Sequence, residues 1–316
     1  MTIFTGWTTL PKDEEIVLTI GTFDGLHLGH QMLLRALSSA QQGLSAKNGN
    51  KTIKTAVISF YKPPREHITK QKELLITSFE NKCRLMTQEI DYLFVLPFEP
   101  ALQQMTPREF IQKLCSHMQV KKIILGHGAM FGKDRQGTES EVKKICQQVG
   151  VDVEYLPKCS TLGQEVSSTR IRRAIQNGDF TTARQLLGRD FFINAVVAHG
   201  KALGGQITSI KTANLHITDL VIPPLGVYCV RARTEDGVFH PAVANLGVAP
   251  TLQKDRAVLC EVHLLDGEFE LYSQELHVTF HKFLREEKFF SSVEDLKTQI
   301  HVDIRAATNY WQQGII

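Results

Sequence analysis

Early in the chain, apolar residues gather in short unbroken runs: Ile16-Val17-Leu18-Thr19-Ile20, Ala56-Val57-Ile58-Ser59-Phe60, Tyr92-Leu93-Phe94-Val95-Leu96, Ile123-Ile124-Leu125 and Val151-Asp152-Val153. Runs that do not alternate with polar residues predict strands covered on both faces, as in a parallel sheet. Helical periods separate them. In the clearest, Thr106 can cap, Pro107 suits the first helical position and Glu109 completes a capping box, and Phe110, Ile111, Leu114 and Met118 then recur at helical spacing. This alternation predicts a doubly wound α/β domain.

After Phe191 the rhythm changes. Val227-Tyr228-Cys229-Val230, Val258 to Leu265, and Leu276-His277-Val278-Thr279-Phe280 follow one another with few helices between them. That succession predicts antiparallel strands forming a small β-barrel. Near the end, Ser291 with Glu294 can cap a helix whose Val293, Leu296, Ile300 and Ile304 form one apolar stripe, suited to packing on the barrel. No internal repeat or low-complexity linker marks the boundary, so the change of rhythm alone sets domains of 1–188 and 189–316. A length of 316 residues agrees, at roughly 150 residues per domain.

Composition narrows the chemistry. Lys plus Arg number 36 against 33 for Asp plus Glu, so the net charge of +3 supplies no broad surface for nucleic acid or an anionic membrane. No apolar run is long enough to span a bilayer, and the first residues lack a basic segment followed by an apolar one, so a cytoplasmic protein is expected. Cys83, Cys115, Cys146, Cys159, Cys229 and Cys260 are scattered singly and read as buried thiols rather than a zinc cluster or a disulfide framework. A weak homo-oligomer is left open.

Directly after the first of these strands comes Gly21-Thr22-Phe23-Asp24-Gly25-Leu26-His27-Leu28-Gly29-His30, leading into a helix that uses Leu33, Leu34 and Leu37. Strand, glycine turn and helix in that order place free backbone N–H groups and a positive helix end at the carboxyl edge of a sheet, which suits phosphate. His27 and His30 can lie on one side of the helix start and donate to phosphate oxygens as charge develops during transfer. Asp24 either shapes the turn or positions a ligand. Further on, in Val166-Ser167-Ser168-Thr169-Arg170-Ile171-Arg172, Ser168 or Thr169 can cap the helix of Ile171 and Ile175, and Arg170 and Arg172 offer forked donors. That helix should stop at Asn177-Gly178.

The two blocks resemble the HxGH motif and the serine-threonine-arginine segment of the nucleotidyltransferase superfamily, in the form used by bacterial bifunctional riboflavin kinase/FMN adenylyltransferases. The resemblance implies that Gly21, Phe23, Asp24, Gly25, Gly29, Ser167, Ser168, Thr169, Arg170 and Arg172 bind ATP phosphates. It implies that His27 and His30 assist attack of FMN phosphate on the α-phosphorus of ATP, with Mg²⁺ present. In the later half, Thr212-Ala213-Asn214-Leu215 is similar to the family's Pro-Thr-Ala-Asn segment, whose Thr and Asn ligate Mg²⁺ and ATP phosphate. Pro224-Leu225-Gly226-Val227-Tyr228 and Ala244 to Thr251 resemble blocks around flavin and nucleotide, which implicates Asn245. Within Cys260-Glu261-Val262-His263-Leu264-Leu265-Asp266, strand alternation puts Glu261 and His263 on one face, and Glu261 matches the family's general base toward the riboflavin 5′-hydroxyl. Arg285, in a further matching block, contacts the flavin or braces the loop.

Several positions depart from the pattern. Lys62-Pro63-Pro64 replaces a Pro-His-Pro element, Gly128 stands where Asn or Asp is usual beside His127, Ser209-Ile210-Lys211 replaces Gly-Phe-Pro, Asn194 replaces a glycine, and Asp266-Gly267-Glu268-Phe269 reorders the residues after the base. The expected protein is an enzyme that makes FMN from riboflavin and ATP, and FAD from FMN and ATP. The alternatives are an adenylyltransferase with a degenerate barrel, and a silent flavin- or nucleotide-binding regulator.

Overall fold

The computed structural model describes residues 1–47, 52–63, 72–161, 163–198, 210–248, 258–267 and 269–314. Its strands are β1 (Thr2–Thr5), β2 (Glu14–Ile20), β3 (Thr52–Phe60), β4 (Tyr92–Leu96), β5 (Gln119–Leu125), β6 (Asp152–Tyr155), β7 (Ser160–Thr161), β8 (Gln164–Glu165), β9 (Phe192–Ala198), β10 (Ala213–Ile217), β11 (Gly226–Arg233), β12 (Phe239–Val248), β13 (Val258–Leu264) and β14 (Glu275–Arg285). Its helices are α1 (Leu28–Ser45), α2 (Phe79–Met86), α3 (Pro100–Gln103), α4 (Pro107–His117), α5 (Glu139–Val149), α6 (Ser168–Gln176), α7 (Phe180–Leu187) and α8 (Val293–Gln312). The chain divides into two compact units, Met1–Ser168 and Thr169–Ile316.

In the first unit the apolar runs become a six-stranded parallel sheet ordered β1-β4-β3-β2-β5-β6. Alternate residues of each strand feed opposite faces. Ile16, Leu18, Ile58 and Phe94 pack with Phe110, Ile111 and Leu114 of α4 and with Val142 and Ile145 of α5. Val17, Val57, Leu93 and Val95 pack instead with Leu33, Leu34 and Leu37 of α1 and Met86 of α2. Covering both faces is what removes polar residues from the strands and makes them read as unbroken runs. The α4 capping box forms as its sequence predicts. Edge strand β1 escapes the sequence pattern because it is short and mostly exposed.

The second unit holds a closed antiparallel barrel, β10-β13-β12-β11-β14-β9. Terminal helix α8 covers its outside through Ile304, Ala307, Tyr310 and Trp311, against Val227, Cys229 and Val243. The α8 cap is displaced by one position: Ser292, not Ser291, accepts from the Asp295 N–H (3.1 Å), and Glu294 falls in the first turn. Helices α6 and α7 group with the barrel, although their sequence continues the strand-helix rhythm of the first unit. The reason is Phe180, whose buried ring lies 5.8 Å from that of Tyr228 and 5.9 Å from that of Phe280. The barrel therefore draws in helices ahead of the change of rhythm. All six cysteines are free, but only Cys146, Cys229 and Cys260 are buried; Cys83, Cys115 and Cys159 are half-buried.

Candidate functional site

At the end of β2 the Gly21 N–H donates to the Ile58 carbonyl (3.0 Å), which keeps the following turn fastened to β3. The backbone then enters the left-handed region at Phe23 (φ 56°), Gly25 (φ 80°) and Leu26 (φ 38°). For Phe and Leu this costs about 1–3 kcal/mol each and persists only where the surroundings over-determine it. Here they do. The Phe23 ring is fully buried, and the Asp24 carboxylate, also buried, accepts from the N–H groups of Ile76 (2.9 Å) and Thr77 (3.2 Å). Ser168 Oγ donates to the Asp24 carbonyl (3.1 Å). Of the two roles open to Asp24, its side chain is seen in the turn-shaping one. At Gly25 a side chain is excluded twice, by its φ and by Ile76, whose atoms would lie 3.1 Å from a Cβ.

His27 is the N-cap of α1, and its Nδ1 accepts from the His30 N–H (3.3 Å). With Nδ1 accepting, the neutral ring carries its proton on Nε2 and so offers a donor. The His30 ring stacks on that of His27 at 3.7 Å with an interplanar angle of 14°, and the Phe23 ring lies 4.8 Å from it. A Cβ at position 29 would stand 3.2 Å from the His27 ring, which makes glycine the residue of least conflict there. Two imidazoles thus meet at the positive end of an 18-residue helix. Strand order reverses between β2 and β5, so this turn lies at the switch point where α/β sheets bind ligands. Local dipoles and donors of this kind suit an anion.

The other expected residues of this site fall as follows. Ser168 is the first residue of α6 rather than its cap, since its hydroxyl is given to Asp24. Arg172 stands one turn on from Ser168 and shares its side of the helix, whereas Arg170 is rotated about 200° from Ser168. Ser167 is half-buried and Thr169 exposed. Gly178 ends α6 in the left-handed region (φ 69°), as expected. After β5, Gly128 is also left-handed (φ 66°) in open space, a conformation that Asn or Asp tolerates too. His127 and Lys62 are exposed, and Pro64 lies outside the described residues.

Lys82, which belongs to none of the motifs read above, lies beneath the turn. It is 5% exposed, and its Nζ donates to the Phe60 carbonyl (3.0 Å), Ser59 Oγ (3.1 Å) and the Thr22 carbonyl (3.3 Å). Burial pushes its pKa down to about 8, against upward pulls from Cys83 and Asp24. A lysine in a short polar helix reads as solvated from sequence, because nothing local marks it as turned inward.

In the barrel, register builds the second site. Asn214 of β10 pairs with Glu261 of β13, and Glu261 pairs with Asn245 of β12, so three polar side chains stand in one row across three strands. All three are half-buried, while Leu215, Cys260, Val262, Ala244 and Leu246 point into the barrel. Thr212, two residues before Asn214, extends that face. His263 lies on it as well, with its Nδ1 2.9 Å from the Lys211 carbonyl oxygen. Glu287, which the sequence left without a role, places its carboxylate against Gly247, where a Cβ would collide with it and approach Asn245 Nδ2. Glu287 also lines an open groove with Asn177, Pro224, Leu225 and Phe283.

Of the two roles open to Arg285, its side chain is seen in the bracing one. Its Nε donates to Asp303 Oδ1 (2.9 Å), one terminal nitrogen to Asp303 Oδ2 (2.7 Å) and the other to the Glu286 carbonyl (2.8 Å), so it braces α8. Asn194 of β9 pairs with His277 of β14 and is not among the residues with positive φ, so the lost glycine costs no backbone strain. Asp266 accepts from His240 Nδ1 at 3.0 Å, and Phe269 lies edge-on to the same imidazole at 4.5 Å. Ser209, the loop from Gly200 to Gly205, Ala249 to Thr251 and Glu268 lie outside the described residues.

Comparison with known proteins places both halves in families. The FAD synthetase family matches residues 9–170 and the riboflavin kinase family residues 187–311. A bifunctional riboflavin kinase/FMN adenylyltransferase of Pseudomonas fluorescens is 35% identical over 299 residues, covering 94% of this chain and 93% of that protein. Its counterpart in Listeria monocytogenes is 32% identical, covering 94% and 91%. A solved structure described as a macrolide-efflux protein from Streptococcus pneumoniae is 26% identical with a TM-score of 0.80, covering 98% of this chain and 99% of that one. Among the described residues no helix is long and apolar enough to cross a membrane. With family matches over residues 9–170 and 187–311 and a 35% identical relative along 94% of its length, the chain belongs to the bifunctional riboflavin kinase/FMN adenylyltransferase family.

Proposed function

We propose that the family's two reactions divide between the two sites: adenylyl transfer at the turn after β2, within residues 1–188, and riboflavin phosphorylation on the outer row of the barrel, within residues 189–316. Support for the first comes from the His27–His30 stack at a helix N-terminus, poised to meet charge on a transferring phosphate. An FMN phosphate oxygen attacks the α-phosphorus of ATP, the bond to the β-phosphate bridge breaks, and pyrophosphate leaves. His27 Nε2–H and His30 donate to the phosphate oxygens, while Gly21 to Gly25 supply a close backbone. By the family resemblance, Ser167, Thr169, Arg170 and Arg172 are assigned to the polyphosphate tail.

For the kinase, the carrying observation is the register that sets Glu261 between Asn214 and Asn245. Glu261 accepts the proton of the riboflavin 5′-hydroxyl as that oxygen attacks the γ-phosphorus and ADP leaves. The Thr212 hydroxyl and the Asn214 amide oxygen are hard donors that fit Mg²⁺. Among the described residues no three His, Cys, Asp or Glu gather as a metal cage, so these two would hold the ion jointly with ATP phosphates. When bound, Mg²⁺ offsets phosphate charge and orients the group in transfer. The proposed setting is the cytoplasm, with ATP, riboflavin and FMN as the partners.

Incubation of the pure protein with riboflavin, ATP and Mg²⁺ should yield FMN and then FAD. Formation of FAD only when FMN is supplied would favour the adenylyltransferase-only alternative; formation of neither would reject both.

A further inference from the structure

The turn that carries His27 and His30 is held from behind by one helix at two points. The loop entering α2 gives the N–H groups of Ile76 and Thr77 to the Asp24 carboxylate, and α2 itself gives the Lys82 ammonium to Thr22 and to Phe60. The carbonyls of Thr22 and Phe60 mark the exits of two neighbouring strands, β2 and β3. Ser59 closes the set, since its Oγ donates to the same Thr22 carbonyl (3.2 Å) while accepting from Lys82. Three strong acceptors around one buried ammonium are more than packing requires. An aliphatic side chain would fill the volume but take the ammonium from the Phe60 carbonyl and leave the Thr22 carbonyl to Ser59 alone.

We propose that Lys82 is a positioning residue for adenylyl transfer, whose buried ammonium ties the ends of β2 and β3 together and holds Gly21, Thr22 and Phe23 in the conformation that receives the nucleotide phosphates. This rests on the assignment of adenylyl transfer to that turn. Lys82 does not touch substrate; it acts through the turn, and its charge also sets a positive field at the floor of a site meant for anions. The groups that face it are Thr22 and Asp24 from the turn, Ser59 and Phe60 from β3, and Phe79 and Cys83 from its own helix. Its ordinary pKa is 10.5 and burial brings it to about 8, so the ammonium is lost within an accessible alkaline range. Bound polyphosphate favours the charged form and should move that loss upward.

The test compares FAD formation from FMN with FMN formation from riboflavin in the same preparations. Wild-type protein should show an alkaline fall in kcat/KM for FAD formation near pH 8, with the fall in kcat displaced to higher pH. Lys82→Met should lower the FAD plateau at least tenfold, abolish the alkaline fall, and leave FMN formation within twofold. Should Lys82→Met fail to fold, Ser59→Ala carries the test. Removing one acceptor disfavours the ammonium, so its alkaline fall should move to lower pH. The proposal is overturned if Lys82→Met keeps the wild-type FAD rate and pH profile, if FAD and FMN formation drop together with the melting temperature, or if Ser59→Ala leaves the alkaline fall in place. Failure of the underlying assignment looks different: His30→Ala would then still make FAD at the wild-type rate.

Discussion

His30 and Glu261 stand in separate units, so their substitutions should separate the two reactions. His30→Ala removes one of two stacked donors and should lower FAD formation from FMN by about 10²–10³-fold while FMN formation persists. Glu261→Gln keeps the shape of the row but cannot accept a proton, and should lower FMN formation by about 10²–10⁴-fold while FAD formation from supplied FMN persists. Steady-state assays with each substrate read both. Gly25→Ala asks whether backbone or chemistry dominates the turn. A left-handed Ala costs roughly 1–2 kcal/mol, and Ile76 must also give way, so urea unfolding of the first unit should shift to lower midpoint.

Among the elements, α8 is the clearest case of a helix whose role was legible from its period but whose anchor was not. Its apolar stripe predicts packing on the barrel, and Ile304 does pack there. The anchor is Asp303, a charged residue that reads as solvent-facing. In the structure it is buried and takes Arg285 bidentately, with Gln299 donating to it as well (2.9 Å). Asp303→Leu would strand a guanidinium and should destabilise the second unit by about 3–5 kcal/mol, while the double change with Arg285→Met should recover most of it. Thermal unfolding of both variants distinguishes them. Flavin binding by the double variant should survive, because Arg285 points to α8 rather than to the Glu261 row. Strand β1 and the one-residue shift of the α8 cap were illegible for a simpler reason: four mostly exposed residues carry no period, and adjacent serines are equally good caps.

For the whole molecule, two sites in two units mean that the intermediate must pass between them. If FMN is released into solution, an equal mixture of the His30→Ala and Glu261→Gln proteins should make FAD from riboflavin after a lag, although neither does so alone. Time courses of FMN and FAD check this; no FAD from the mixture would show that FMN is handed on within one chain. What the sequence determined by itself was the class of each half, the glycine turn that leads into α1 and the alternation that turns Glu261 outward, because hydrophobic period and glycine spacing are local signals. Tertiary structure decided the rest. It took α6 and α7 into the barrel through Phe180, and aligned Asn214, Glu261 and Asn245 from strands far apart in sequence. It also turned Asp24 inward, drew Arg285 to α8, and buried Lys82 beneath the turn. Each of these depends on which partner arrives from elsewhere in the chain, and a local pattern carries no record of that partner.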